Sequence, residues 1–148
     1  MENVKTYNMH NETSLTVMML VLAEANITGL QIVYEGSGDS GAIENILFTK
    51  EPLETPDDIS NHIDDRWGLK HGLSESGIEM TKVASLVTNI KELIISVLLD
   101  EIENWWDNDG GYGIVNMLVP SGQYKIENSV RFTETYYYEH EGDLFNKI

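Results

Sequence analysis

The sequence predicts an α+β fold, a two-layer sandwich in which an antiparallel four-stranded sheet of two hairpins carries two main helices on one face. Three observations predict it. Apolar residues recur at intervals of three and four over Leu15 to Leu22 and again over Val83 to Trp105, which is the helical period. Residues 30–48 and 112–139 instead alternate apolar with polar, the period of half-buried strands. The turn-rich stretches "GSGDSG" and "PSGQ" each split one alternating stretch into a hairpin. A chain of 148 residues suits one domain, expected over residues 11–148, with residues 1–10 as a flexible arm that lacks any periodic pattern.

The first helix is expected to start at Asn11 or Thr13, either of which can cap it. Leu15, Met18, Met19 and Leu22 form its stripe, and Val17, Leu20 and Val21 widen it, so this helix is predicted to be largely buried with its methionines as core filler. Gly29 is the expected stop. In "LQIVYEG" Leu30, Ile32 and Tyr34 share one face, and "AIENILFTK" follows as the second strand of the first hairpin. Residues 51–77 carry two prolines, the acidic pairs Asp57–Asp58 and Asp64–Asp65, and three glycines. They read as an irregular excursion with one short helix between Asp57 and Trp67. Ser76 and Glu79 have capping-box spacing, and the apolar repeat beyond them predicts one long helix closed by "DNDGG". The run from Gln123 to Glu139 alternates throughout, with Tyr124, Ile126, Val130, Phe132, Tyr136 and Tyr138 on one face and Lys125, Glu127, Arg131, Thr133 and Thr135 on the other.

Composition excludes several chemistries. There is no cysteine, so disulfides, thiolate metal sites and cysteine nucleophiles are absent. Nine basic residues against 25 acidic ones give a formal charge of −16, which repels nucleic-acid phosphates and anionic lipid and attracts basic proteins. Direct nucleic-acid binding is therefore not expected. The apolar run "VMMLVLA" is far too short to span a bilayer and no basic segment leads into it, so no membrane association and a cytoplasmic location are expected.

Gly36, Gly38 and Gly41 spell GxGxxG, but a dinucleotide loop opens a helix, whereas a strand follows here and Glu35, Asp39 and Glu44 would face the phosphate. Those oxygens suit a hard cation better, and Asp107 and Asp109 of "DNDGGYG" are similar in style. Asp39, Glu44, Asp107 and Asp109 are thus the alternative metal set, weighed against the simpler reading that glycine, asparagine and aspartate serve tight turns. His10, His62, His71 and His140 are scattered, and neither HExxH nor GxSxG occurs. No catalytic residue is assigned, a non-enzymatic role is expected, and no cofactor beyond that alternative divalent cation. Antiparallel folding-back is expected to set Tyr136, Tyr138, Glu139 and Glu141 beside Trp105, Trp106, Asp107, Asp109 and Tyr112. Together with Glu35, Asp39 and Glu44 they form the predicted binding rim, of the aromatic and charged type that interfaces favour.

The segments "YEGSGDSGAIE", "WWDNDGGYG" and "NSVRFTETYYYEHE" together resemble an uncharacterised family of small acidic proteins carried by phages, plasmids and related mobile elements. Its members show a YxGSGDSGxIE loop, a W-acidic-NDGxYG turn and an arginine-bearing strand running into a YxEHE-like end. Ser129 and Val130 depart from that pattern, as does the excursion 51–77. The resemblance implies an α+β domain and a mobile-element context, and no reaction. With the charge, it leads to the expectation of an inhibitor that presents carboxylates to a basic host protein, duplex mimicry being one version, in the host cytoplasm. The alternatives are a cation or small-ligand module on the two glycine turns and a homo-oligomer.

Overall fold

The computed structural model describes residues 17–37, 40–63, 68–99, 110–119, 121–130 and 136–146. Within them lie helix α1 (residues 17–24), strands β1 (Gly29–Ser37) and β2 (Ser40–Thr49), and a 3₁₀ segment (Pro56–Asn61). Helices α2 (Leu69–Glu75) and α3 (Met80–Leu93) follow, the latter continuing as a π-helical turn over Ile94–Leu98. Strands β3 (Gly111–Leu118), β4 (Gln123–Val130) and β5 (Tyr136–Asp143) complete the fold, with a last 3₁₀ turn at Leu144–Asn146. The class is α+β. The sheet has five strands in the order β2-β1-β3-β4-β5, every neighbouring pair antiparallel.

The fifth strand corrects the four-stranded expectation. The alternating run from Gln123 to Glu139 is not one strand: Val130 pairs with Tyr136, so the chain doubles back between them. Residues 131–135 include no glycine, proline or asparagine, so nothing in the composition marks that reversal. The first hairpin is as expected, and Ser37 pairs with Ser40, which makes "GSGDSG" a hairpin tip rather than the mouth of a helix.

One sheet face is packed against the helices. The row Ile46, Ile32, Val115 and Ile126 crosses four strands, each residue no more than 4 % exposed. Onto it α3 lays Val83, Leu86, Val87, Ile90 and Leu93, spaced as an amphipathic helix requires. Burying each such side chain contributes about 1.5–3 kcal/mol. In α1, Met18, Met19 and Leu22 enter the same core, whereas Val17 and Leu20 are more than half exposed, so the stripe is narrower than the sequence suggests. Helix α1 ends before Gly29, at Asn26, whose φ of 63° sets a left-handed turn. Ile27 N–H donates to Leu22 and Asn26 N–H to Ala23, the paired closure of a Schellman end.

The excursion is more ordered than expected. Ser76 does not cap α3, which begins at Met80 with Glu79 at its N-cap; it ends α2, its hydroxyl donating to the Gly72 carbonyl at 3.0 Å. The 3₁₀ segment crosses to the other sheet face, a third partial layer. Ile59 is fully buried there, seated on Gly29, where an added Cβ would lie 2.9 Å from Ile59 and 2.7 Å from Leu53. Ser60 accepts from Gln31 and Asn116 at 3.3 and 3.0 Å, and Asp57 pairs with Lys125 at 3.2 Å. The carboxylate of Asp58 accepts the backbone N–H groups of Thr55 and Glu54, which hold its pKa below the ordinary carboxylate value. These contacts place the segment over Gly29, Gln31, Asn116 and Lys125.

Candidate functional site, the open half of the sheet

Two adjacent cross-strand rows, on opposite faces, organise the site. The buried row is Tyr34, Gly113 and Asn128. Tyr34 and Asn128 are fully buried, and the Tyr34 hydroxyl donates to Asn128 Oδ1 at 2.7 Å, reaching over β3. Gly113 makes room for it: a Cβ there would lie 2.6 Å from the Tyr34 oxygen and 2.0 Å from the Glu127 carbonyl. Tyr34, Gly113 and Asn128 come from the three motif segments quoted above, so part of their pattern is a packing constraint.

The next row, on the opposite face, is Glu35, Tyr112, Ser129 and Tyr137, and beside it run Val33, Ile114, Glu127 and Glu139. Side chains directly opposite on neighbouring strands share a face. Apart from Glu139, the residues of these two rows line a depression of about 430 Å³. Its floor is Val33, Ile114 and Gly113 backbone; Glu35, Glu44 and Glu127 wall it, and Tyr112 and Tyr137 stand at its rim, 43 % and 55 % exposed. Glu44 reaches it because of a β-bulge: Val33 faces Asn45 and Tyr34 faces Ile43, which leaves Glu44 as the extra residue.

Tyr137 donates to Glu139 at 2.8 Å. Partial desolvation and the hydrogen bonds to Glu139 and Glu127 push its phenol above the usual tyrosine value, so it stays a neutral donor through the physiological range. Lys125, two residues before Glu127 on β4 and outside the lining, has Asp57, Glu139 and Glu141 at 3.2, 3.4 and 3.7 Å. The hydrogen bond to Asp57 is the largest cause of a pKa raised above the ordinary lysine value.

The predicted rim is partly assembled and partly rearranged. Glu35, Glu44 and Tyr112 do meet. Glu139 and Glu141 lie on the same face along edge strand β5, each against Lys125. Strand β5 does not lie beside β3, since β4 runs between them, which corrects the expected contact of residues 136–141 with Tyr112. Tyr138 is opposite Asn128 and so belongs to the helix face, and Tyr136 is opposite Val130. The tyrosine that joins Tyr112 is Tyr137, one residue out of the predicted phase. Asp39, Trp105, Trp106, Asp107 and Asp109 lie outside the described residues. The backbone does bring the two glycine turns to one end of the sheet, with Gly36 paired to both Gly41 and Gly111. Among the described residues no group of three or more histidine and carboxylate side chains is placed to hold a metal ion.

Glu127, Ser129, Val33 and Ile114 were not among the predicted site residues. Glu127 was legible as part of the polar face of its strand; the others needed the register. No helix among the described residues is long and apolar enough to cross a membrane. No curated protein matches the chain. No solved structure matches it either. A family model does match over residues 9–142, nearly the whole length, and the chain therefore belongs to the family of unknown function DUF6878.

Proposed function

We propose that the chain is an acidic protein-binding module whose open sheet face receives a basic surface of a partner protein. The observation that carries this reading is the depression itself: an apolar floor of Val33 and Ile114, carboxylates of Glu35, Glu44 and Glu127 around it, and, among the described residues, no basic side chain in its lining. Apolar area supplies affinity, while carboxylates at the edge steer and orient a cationic partner. The net charge of −16 adds long-range attraction. In the mobile-element setting that the motif resemblance implies, such a module acts by occupying a basic site of a host protein.

Photo-crosslinking in host lysate tests this. A crosslinkable residue at Ser129 is expected to yield discrete adducts with basic proteins, weakened by the double substitution Glu35→Gln with Glu127→Gln and by raising salt past about 0.15 M, where the screening length is about 8 Å. Adducts of equal strength from exposed Glu92 on α3, or adducts indifferent to salt, would refute it.

A further inference from the structure

We propose that the outward side of the junction between α1 and α3 is a homodimer interface, closed by a second copy of this chain about a two-fold axis. The helices lie on the opposite side of the sheet from the open face, so this interface is independent of the basic-partner reading and leaves that face uncovered in both copies.

Apolar surface without a cover is the first observation. Residues 17–23 of α1 read VMMLVLA, apolar on every side, and a helix of that kind is one that is buried all round. Here Met18, Met19 and Leu22 enter the core, while Val17 and Leu20 face outward, 54 % and 58 % exposed. Met80, in the first turn of α3, is 72 % exposed. Among the described residues these three are the large aliphatic side chains left exposed. All three border one groove of about 450 Å³, lined by Val21, Ala25 and Ile78: Val17 lies one turn before Val21, Leu20 adjoins it, and Met80 stands between the lining residues Glu79 and Lys82. Contiguous exposed apolar surface of this kind marks a protein contact.

Charge selects the occupant. Glu24, Glu79 and Lys82 edge the groove, and among the described residues none of these three side chains makes an ion pair within the chain. Unpaired charges of both signs on one patch suit a two-fold contact, in which Lys82 of each copy meets a glutamate of the other. A purely basic or purely acidic partner would leave one sign unanswered. The helical layer is also where two copies repel least. Residues 68–99 carry Lys70, Lys82 and Lys91 against Glu75, Glu79 and Glu92, three of each, whereas the five strands carry Glu35, Glu44, Glu127, Glu139, Glu141 and Asp143 against Lys125 alone. Beyond the groove, the exposed α3 residues Ala84, Ser85 and Thr88 are short and uncharged, which lets a second helix approach.

Sedimentation of the full chain tests this at about 0.15 M salt, where a screening length of about 8 Å mutes the repulsion between two chains of charge −16. A concentration-dependent dimer is expected up to about 0.2 mM chain. Leu20→Ser should weaken it at least about tenfold by removing a buried aliphatic contact from each copy. Lys82→Glu should weaken it by a similar factor, about tenfold, through like-charge repulsion. Lys82→Glu combined with Glu24→Lys and Glu79→Lys should return the affinity to within about threefold of the parent, which loss of fold could not do. All four positions are exposed, and circular dichroism checks that each variant keeps its fold. A dimer indifferent to Leu20→Ser, or a charge reversal that fails to restore what Lys82→Glu removes, would overturn the proposal. A parent chain that stays monomeric at about 0.2 mM would overturn it as well and leave the patch to a different protein.

Discussion

Replacing Gly113 with alanine puts a methyl group where the structure has no room for one. The new Cβ would sit 2.0 Å from the Glu127 carbonyl oxygen and 2.6 Å from the Tyr34 hydroxyl, against an ordinary contact above 3.4 Å. Neither neighbour yields easily, since one is ladder backbone and the other is a fully buried ring anchored at 2.7 Å to Asn128. Overpacking of this kind costs about 1–3 kcal/mol. Displacing Tyr34 also breaks its hydrogen bond to Asn128, adding about 1 kcal/mol. The sum, about 2–4 kcal/mol, corresponds to a fall of roughly 10 °C in the unfolding midpoint of a chain this size. Thermal and urea unfolding followed by circular dichroism measure it. Tyr34→Phe, which keeps the ring and removes the donor, should cost only about 1 kcal/mol. A Gly113→Ala protein within about 1 kcal/mol of the parent, or one more stable than Tyr34→Phe, would show that Tyr34 does not cross β3 at this point.

Ile59→Ala should destabilise by about 2–5 kcal/mol, because the side chain is fully buried on the otherwise exposed face; a change within about 0.5 kcal/mol would mean that the 3₁₀ segment is not docked there. The folded-state pKa of Asp58 is depressed, so its contribution is present above the unfolded value and lost as pH falls through the folded one. Asp58→Asn should therefore reduce stability at neutral pH and flatten its loss on acidification; acid titration monitored by tryptophan fluorescence reads this, and parallel curves would contradict it. Lys125 has the opposite sign: its raised pKa contributes below the unfolded value of 10.5 and fades as pH rises through the folded one, so Lys125→Met should lessen the alkaline loss of stability. Calcium, magnesium or manganese should raise the melting temperature no more than monovalent salt of matched ionic strength. A specific excess approaching about 2.7 kcal/mol at 100 times the dissociation constant would instead favour the cation-module reading.

Legibility differed between local and non-local features. The β1–β2 hairpin and the apolar face of α3 were readable because each is set by neighbours along the chain, the three-and-four spacing from Val83 to Leu93 above all. The reversal between Val130 and Tyr136 was not, because alternation continues through it and its partner is known only from pairing. Without β5 as a separate strand, alternation alone puts Tyr136 and Tyr138 on the rim; pairing of Ser129 with Tyr137 is what sets Tyr137 in the row of Tyr112. Ser76 misled for a related reason. Its spacing to Glu79 suits a helix start, but Gly77, with φ of 89°, turns the chain out of α2 first. The charge of Glu44 is legible in the sequence, but what brings it to the depression is a bulge that no residue type announces.

Strand β1 has one neighbour close in sequence and one far away. Its hairpin with β2 can close as soon as both have left the ribosome, but its other edge, from Gly29 to Gly36, must wait for Leu118 to Gly111. Contacts of such sequence separation are slow to form. During synthesis the nascent hairpin therefore carries an unpaired, β-rich edge, open to mispairing with neighbouring chains. The carboxylate of Glu35, on the strand that carries that waiting edge, would repel a second nascent copy, so charge at this end of the sheet would act as a guard during biogenesis.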